Sequence, residues 1–410
     1  MLTDPSKSRS ADRHSPLIQN RAAAAGWLLI LGIILVATTM RAPLTSAGPL
    51  LADIAGELGI SNTAAGMITT LPLLAFALMS PFAPKLAKRY GIPAVLFGAM
   101  ILLTAGVLLR SSGGAAALFI GTGMLGLAIS VCNVLLPSLI KQRFPSRIGV
   151  MTGVYSASMN LCAAVASGIS VPLAVRAGLG WKSSLGIWAI LSAVALVLWL
   201  PQLKGSRPPQ AAVHRADARR TSLWRSALAW QVTLFMGFQS VIFYSLITWL
   251  PAVLIEQGLS SDTAGYMLSV MQLVSLPFAF IVPIWAGRMQ SQRLLAIIGA
   301  AAFLIGILGL SLELSQWAVL WAVSLGIGGG FSFSVAMMLF SQRTRSSLEA
   351  AELSGMAQSV GYLLAACGPL LVGYLHDLTH HWLTPLLLLG TASVILMLAG
   401  YLAGRSRYVS

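Results

Sequence analysis

A single cation stands inside the apolar part of this chain. Arg41 is the only formally charged residue in the interior of the long hydrophobic stretches, in the segment Thr38-Thr39-Met40-Arg41-Ala42-Pro43-Leu44-Thr45-Ser46. A cation at membrane depth costs about 3 kcal/mol or more, so it is expected to have a partner or a task. Guanidinium presents a planar fork of donors that does not deprotonate, which suits a small planar anion or a nitro group better than a lysine would. The competing role is structural: Pro43 frees the carbonyl of Thr39, one turn earlier, which could accept from Arg41. Arg41 lies fourteen residues past Trp27. At the helical rise that is roughly 21 Å along the helix, near the bilayer midplane.

Other polar or aromatic residues inside apolar stretches are Asn133, Tyr155, Asn160, Gln239, Tyr244, Trp249, Gln272, Gln358 and Tyr362. Each alone is more often an interhelical hydrogen-bonding residue than a ligand. Gln358 and Tyr362 form the best pair, one helical turn apart beside Gly361. The candidate substrate ligands are therefore Arg41, Thr38, Thr45, Asn133, Tyr155, Gln239, Tyr244, Gln272, Gln358 and Tyr362. The glycine sets Gly121, Gly123, Gly126 and Gly326, Gly328, Gly329, Gly330 suit close helix packing or hinging. No acid falls in any apolar stretch, so the embedded carboxylate that commonly carries a proton is missing. There is no phosphate-binding loop, no nucleophile with a base and no spaced metal motif, which argues against an enzyme and leaves no cofactor expected. His376, Asp377, His380 and His381 read as a solvated loop. Cys132, Cys162 and Cys367 lie in apolar stretches and read as packing residues.

The elements that must position these residues are membrane helices. Hydrophobic residues make up 57% of 410 and charged ones 9%, against roughly 25% charged in a soluble domain. Stretches long enough to span fall near 27–49, 64–84, 93–110, 115–139, 149–174, 184–200, 229–251, 265–287, 294–312, 316–340, 354–374 and 382–403. Ala22 to Thr39 could pass for a signal peptide, but no convincing cleavage site precedes the Arg41 segment and eleven more spans follow, so it is read as an uncleaved first helix. The net charge of +15 follows topology. With both ends inside, 22 of the 26 Lys and Arg fall on one side, Arg110, Arg176 and Lys182 on the other, and Arg41 between. This positive-inside pattern places both termini in the cytoplasm and makes nucleic acid an unneeded partner. The division is a cytoplasmic tail over 1–21, a six-helix bundle over 22–200, a basic cytoplasmic linker over 201–228, a second six-helix bundle over 229–404 and a tail over 405–410.

The halves repeat. Gly59-Ile60-Ser61-Asn62-Thr63-Ala64-Ala65-Gly66 matches Gly258-Leu259-Ser260-Ser261-Asp262-Thr263-Ala264-Gly265, and Thr152-Gly153-Val154 echoes Ser354-Gly355-Met356. A common offset of about 200 residues argues for duplication, the plan of the major facilitator transporters. Within that superfamily the chain resembles the cyanate and 2-nitroimidazole transporter family. The residues that carry the resemblance are Arg41 to Leu51, Thr69 to Ala77, Asn133 to Lys141, Ala229 to Phe235 and above all Leu353 to Pro369. The likeness is to the 2-nitroimidazole exporter branch over essentially the whole chain, while the first segment follows the cyanate pattern more closely. It implies an all-α integral membrane protein of twelve transmembrane helices in two pseudo-symmetric bundles. It further implies secondary active or facilitative transport of a small planar anion or nitro-heterocycle by alternating access, with 2-nitroimidazole-like efflux or uptake of cyanate or another small anion. A monomer in the bacterial inner membrane is expected, with a small-molecule substrate and the lipid bilayer as its partners. Many superfamily members carry an acid in the loop after the second span, where this chain has Lys85-Leu86-Ala87-Lys88-Arg89-Tyr90-Gly91. The gating set is accordingly Lys85, Lys88, Arg89 and Arg288, with Glu349 or Glu352 supplying the missing charge.

Overall fold

The computed structural model describes residues 16–60, 62–203 and 223–409. Among them are fifteen α-helices. In hydrocarbon every backbone N–H and C=O must find an internal partner, and continuous apolar sequence satisfies this as helix. The first bundle contains α1 (Pro16–Thr45), α2 (Leu51–Leu58), α3 (Asn62–Met79), α4 (Ala83–Tyr90), α5 (Ile92–Ser111), α6 (Ala115–Arg143), α7 (Ile148–Val171), α8 (Gly180–Gly186) and α9 (Trp188–Leu203). The second contains α10 (Ala227–Glu256), α11 (Ser261–Arg288), α12 (Arg293–Ser311), α13 (Ala318–Gln342), α14 (Ser347–Thr379) and α15 (Leu383–Ala403). Eleven stretches are long and apolar enough to cross a membrane, and the pair α3 and α4, bent by 52°, makes a twelfth. Each span overlaps one of the twelve expected from hydropathy.

Helix ends carry recognisable chemistry. Ser346 caps α14 by accepting from Glu349 N at 3.1 Å, and Ser260 caps α11 by accepting from Thr263 N. Two boundaries differ from expectation. Helix α1 begins at Pro16, inside the segment read as a tail, while residues 1–15 of that tail and 204–222 of the linker lie outside the described residues. The C-terminal residues are docked: Val409 N donates to Arg343 O at 2.8 Å, and Arg343 donates to Ala403 O and Gly404 O. Arg110, counted above with a loop, is buried in the last turn of α5, and its Nε and Nη2 lack partners.

Glycine sets how closely the helices approach. A methyl at Gly121 would stand 2.4 Å from Arg110 N, so α5 and α6 pack backbone to backbone. The same device joins the bundles, where α7 meets α11 and α3 meets α14. A methyl at Gly153 would lie 2.6 Å from Phe280 O, and one at Gly355 2.7 Å from Ser80 O. Ser80 and Phe280 are 200 positions apart. The duplicated Gly153 and Gly355 therefore make one contact twice, each pressing on the backbone of the other half. Basic residues such as Lys88, Arg89, Lys141 and Arg288 mark this end of the molecule, called here the basic face.

Candidate functional site

Between the bundles lies a cavity lined from both halves. The first bundle gives it Arg41 and Asn160. The second gives Gln239, Ser240, Phe243 and Tyr244 from α10, Ser275 and Ala279 from α11, Gly329, Gly330 and Phe333 from α13, and Tyr362 from α14. Residues 239, 240, 243 and 244 recur at one-turn spacing, so one face of α10 forms a polar and aromatic wall. Arg41 is half-buried. Among the described residues it makes no hydrogen bond or ion pair, and it shares the cavity wall with Tyr362. No acid among the described residues lines the cavity. A positive, donor-rich end thus faces a wall of four six-membered aromatic rings, from Phe243, Tyr244, Phe333 and Tyr362, and hydroxyls, an arrangement that accepts a flat ligand carrying negative or partly negative oxygens.

Of the ten expected ligands, Arg41, Gln239, Tyr244 and Tyr362 meet at the cavity. The other six do not, for identifiable reasons. Thr38 spends its hydroxyl on Leu35 O at 2.8 Å, and Thr45 bonds Arg41 O and Ala163 O. Tyr155 is fully buried and donates to Asn133 Oδ1 at 3.5 Å. Gln358 is fully buried too, and ties α14 to α6 by donating to Asn133 O at 3.2 Å. Gln272 is exposed and off the cavity wall. Thr39, whose carbonyl was the alternative partner of Arg41, accepts nothing from it. Reading the sequence missed Ser240, Phe243, Ser275, Gly329 and Phe333. The stripe from Gln239 to Tyr244 was the available signal for the first two.

The residues expected to gate divide between ties across the halves and local contacts. Lys88 pairs with Glu352 across the halves, both partly exposed. Lys141 reaches from the end of α6 to the end of α13, donating to Ser341 O and Thr344 Oγ1, each at 2.7 Å, and to Thr344 O. It thereby caps the negative end of a helix in the other bundle. Sequence contained a hint, since Leu139-Ile140-Lys141-Gln142-Arg143 repeats as Leu339-Phe340-Ser341-Gln342-Arg343. Lys85 and Arg89 instead lie over the rings of Phe82 and Tyr90, and Arg288 is exposed. Glu349 accepts from Arg345 N and serves its own helix end. At the opposite face the described ties stay within one bundle. Glu57 accepts from Lys182 and Trp181, both at 2.7 Å, and those two donors hold its carboxyl below the usual range. Glu256 meets His376 at 3.1 Å, and His376 stacks on Trp382. The bundles are joined at the basic face and, among the described residues, untied at the other.

Comparison with known proteins agrees with this geometry. Residues 28–366 match the family model described as Major Facilitator Superfamily. The chain is 45% identical to an uncharacterized transporter, YycB, of Bacillus subtilis (strain 168), over 96% of this chain and 97% of that one. It is 40% identical to the 2-nitroimidazole transporter of Escherichia coli (strain K12), over 93% and 96% respectively. The fold is similar to that of the proton:xylose symporter XylE, with a TM-score of 0.71 at 15% identity, covering 93% of this chain and 96% of that one. With twelve spans in two like bundles, a cavity between them and a family match over most of its length, the chain belongs to the Major Facilitator Superfamily of membrane transporters.

Proposed function

We propose that the protein carries a small planar anion or nitro-heterocycle across the bacterial inner membrane by alternating access, with Arg41 holding the substrate's oxygens. The observation that carries this reading is the guanidinium itself, half-buried on the cavity wall with no protein partner among the described residues. A cation kept at that depth without a counter-ion is stabilised when an anion arrives, and the fork matches two oxygens in one plane. The likeness to a 2-nitroimidazole transporter supports a nitro-heterocycle as cargo, and efflux is the direction that the sequence resemblance implies. The basic face supports cytoplasmic termini and a cytoplasmic 201–228 linker between bundles over 22–200 and 229–404, which rock about the cavity.

The test is a thermal-shift and transport screen of purified protein against 2-nitroimidazole, cyanate, nitrate and small carboxylates, with Arg41→Lys beside the parent. The lysine variant should fold and reach the membrane yet bind roughly tenfold more weakly or worse, because a point charge does not reproduce the fork. Equal binding and transport by parent and variant would refute the role given to Arg41.

A further inference from the structure

Four glycines crowd one turn of α13, and the structure divides them. A methyl at Gly326 would stand 2.4 Å from Met271 O, at Gly328 2.7 Å from the Phe303 ring, and at Gly330 2.8 Å from Ser275 O. Those three are required by the packing of α13 against α11 and α12. Gly329 is different. Its added methyl would meet nothing closer than Phe243 Cδ2 at 3.5 Å, an ordinary van der Waals contact, and its backbone is plain helix. Neither packing nor torsion demands glycine there, although alanine is the better helix former. Gly329 does line the cavity, beside Phe243 and one turn before Phe333. The missing side chain leaves a bare strip of backbone on the wall of a site otherwise faced with rings.

The geometry points to Gly329 as a specificity-determining residue: its bare backbone, flanked by Phe243 and Phe333, is the floor on which the flat face of one aromatic ring rests while the ring's acceptor oxygens reach Arg41. This rests on the reading that Arg41 holds the substrate, and it narrows the substrate class to monocyclic aromatic or heteroaromatic anions and nitro compounds. The two bundles then contribute differently. The first supplies charge and the second supplies the ring platform, so only a ligand with both a ring and an acceptor group engages both. A three-atom or four-atom anion engages Arg41 alone.

The experiment measures dissociation constants of 2-nitroimidazole, benzoate, cyanate and nitrate with full-length protein in nanodiscs, for the parent, Gly329→Ala, Gly328→Ala and Arg41→Lys. In the parent the two ring compounds should bind more tightly than cyanate and nitrate. Gly329→Ala should keep the parent's Tm while weakening the ring compounds roughly tenfold and the small anions by less than about twofold. Gly328→Ala, which drives its methyl into Phe303, should lower Tm. Unchanged ring affinity in Gly329→Ala overturns the proposal while leaving Arg41 in place, and so does a loss of Tm in that variant, which would mean glycine is needed for packing. A parent that binds only cyanate and nitrate also overturns it. Loss of every ligand in Arg41→Lys together with selective loss of the ring compounds in Gly329→Ala supports both readings, whereas parent-like binding in Arg41→Lys removes the reading beneath this one.

Discussion

Lys141→Met should unbalance the two faces of the transporter. The ammonium donates to Ser341 O, Thr344 O and Thr344 Oγ1 in the opposite bundle, and methionine keeps the length of the stem while removing the charge. A hydrogen bond from a charged donor contributes roughly 1.5–3 kcal/mol net of water, and a cation at a helix C-terminus about 0.3–1 kcal/mol. Parting the bundles returns the ammonium to water, so the three contacts do not add. About 2 kcal/mol is a reasonable difference between the joined and parted states. That moves the equilibrium roughly thirtyfold toward opening at the basic face. Met338 reports the change, being fully buried beside Gly287 where α7, α11 and α13 meet. With Cys132, Cys162 and Cys367 replaced, Met338→Cys should react with a maleimide applied to the basic face about thirtyfold faster in the Lys141→Met background, if labelling follows the open population. Rates equal within about twofold would refute the view that Lys141 holds the joined state.

The tie at the opposite face gives a pH prediction. The pKa of Glu57 is depressed below its ordinary 4.5, so the tie between α2 and α8 is complete above that value and is lost as pH falls through the lower folded value. Hydrogen exchange in residues 51–58 should stay constant from neutral pH down to the carboxylate range, after correction for intrinsic rates, and rise below it, while Glu57→Gln should show the faster exchange at every pH. Gly121→Ala should lower stability by about 1–3 kcal/mol by forcing α5 from α6, whereas Gly123→Ala, whose methyl meets only Leu71 at 3.8 Å, should leave Tm unchanged; equal melting curves would remove the distinction. Because no acid among the described residues lines the cavity, a permanently ionised substrate should not be concentrated in proteoliposomes by an imposed pH gradient. Gradient-driven accumulation that survives neutralising Asp53, Glu349 and Glu352 would contradict this.

Hydropathy made the spans legible because a bilayer requires about 20 apolar residues whatever their order. Arg41 stood out for the same reason, as a violation of that requirement. The rest of the cavity depends on how each helix is rotated, which is fixed by packing and leaves a weaker trace. Gln358 is a polar residue in an apolar helix, like Gln239, yet its side chain bonds Asn133 O across the bundles while Gln239 faces the cavity. Gly329 has no sequence signature at all, since its neighbours Gly328 and Gly330 read identically and differ only in what stands 3 Å away. Lys141 read as one more topogenic charge. Two of its three acceptors are main-chain carbonyls, which every residue possesses, and the third is the hydroxyl of Thr344, so no acidic partner could have announced them.

The paired glycine contacts have an electrical consequence. Where Gly153 and Gly355 press on the backbone of Phe280 and Ser80, no room is left for a file of water. With the bundles untied beyond the cavity, the conducting solution reaches inward and the membrane voltage drops chiefly across that thin dry seam. Arg41 then sits near the potential of the opposite face. On the proposed alternating-access cycle, parting of the seam and closure of the other end move the voltage drop to the far side of Arg41, which is equivalent to carrying its charge through most of the field. On that cycle the empty carrier exchanges up to about 2.3 kcal/mol with each 100 mV on every reorientation, while a carrier whose arginine is neutralised by a bound anion exchanges almost nothing. A neutral nitro compound leaves the full charge in place, so the same protein would be voltage-sensitive in its loaded step for one class of cargo and indifferent for the other.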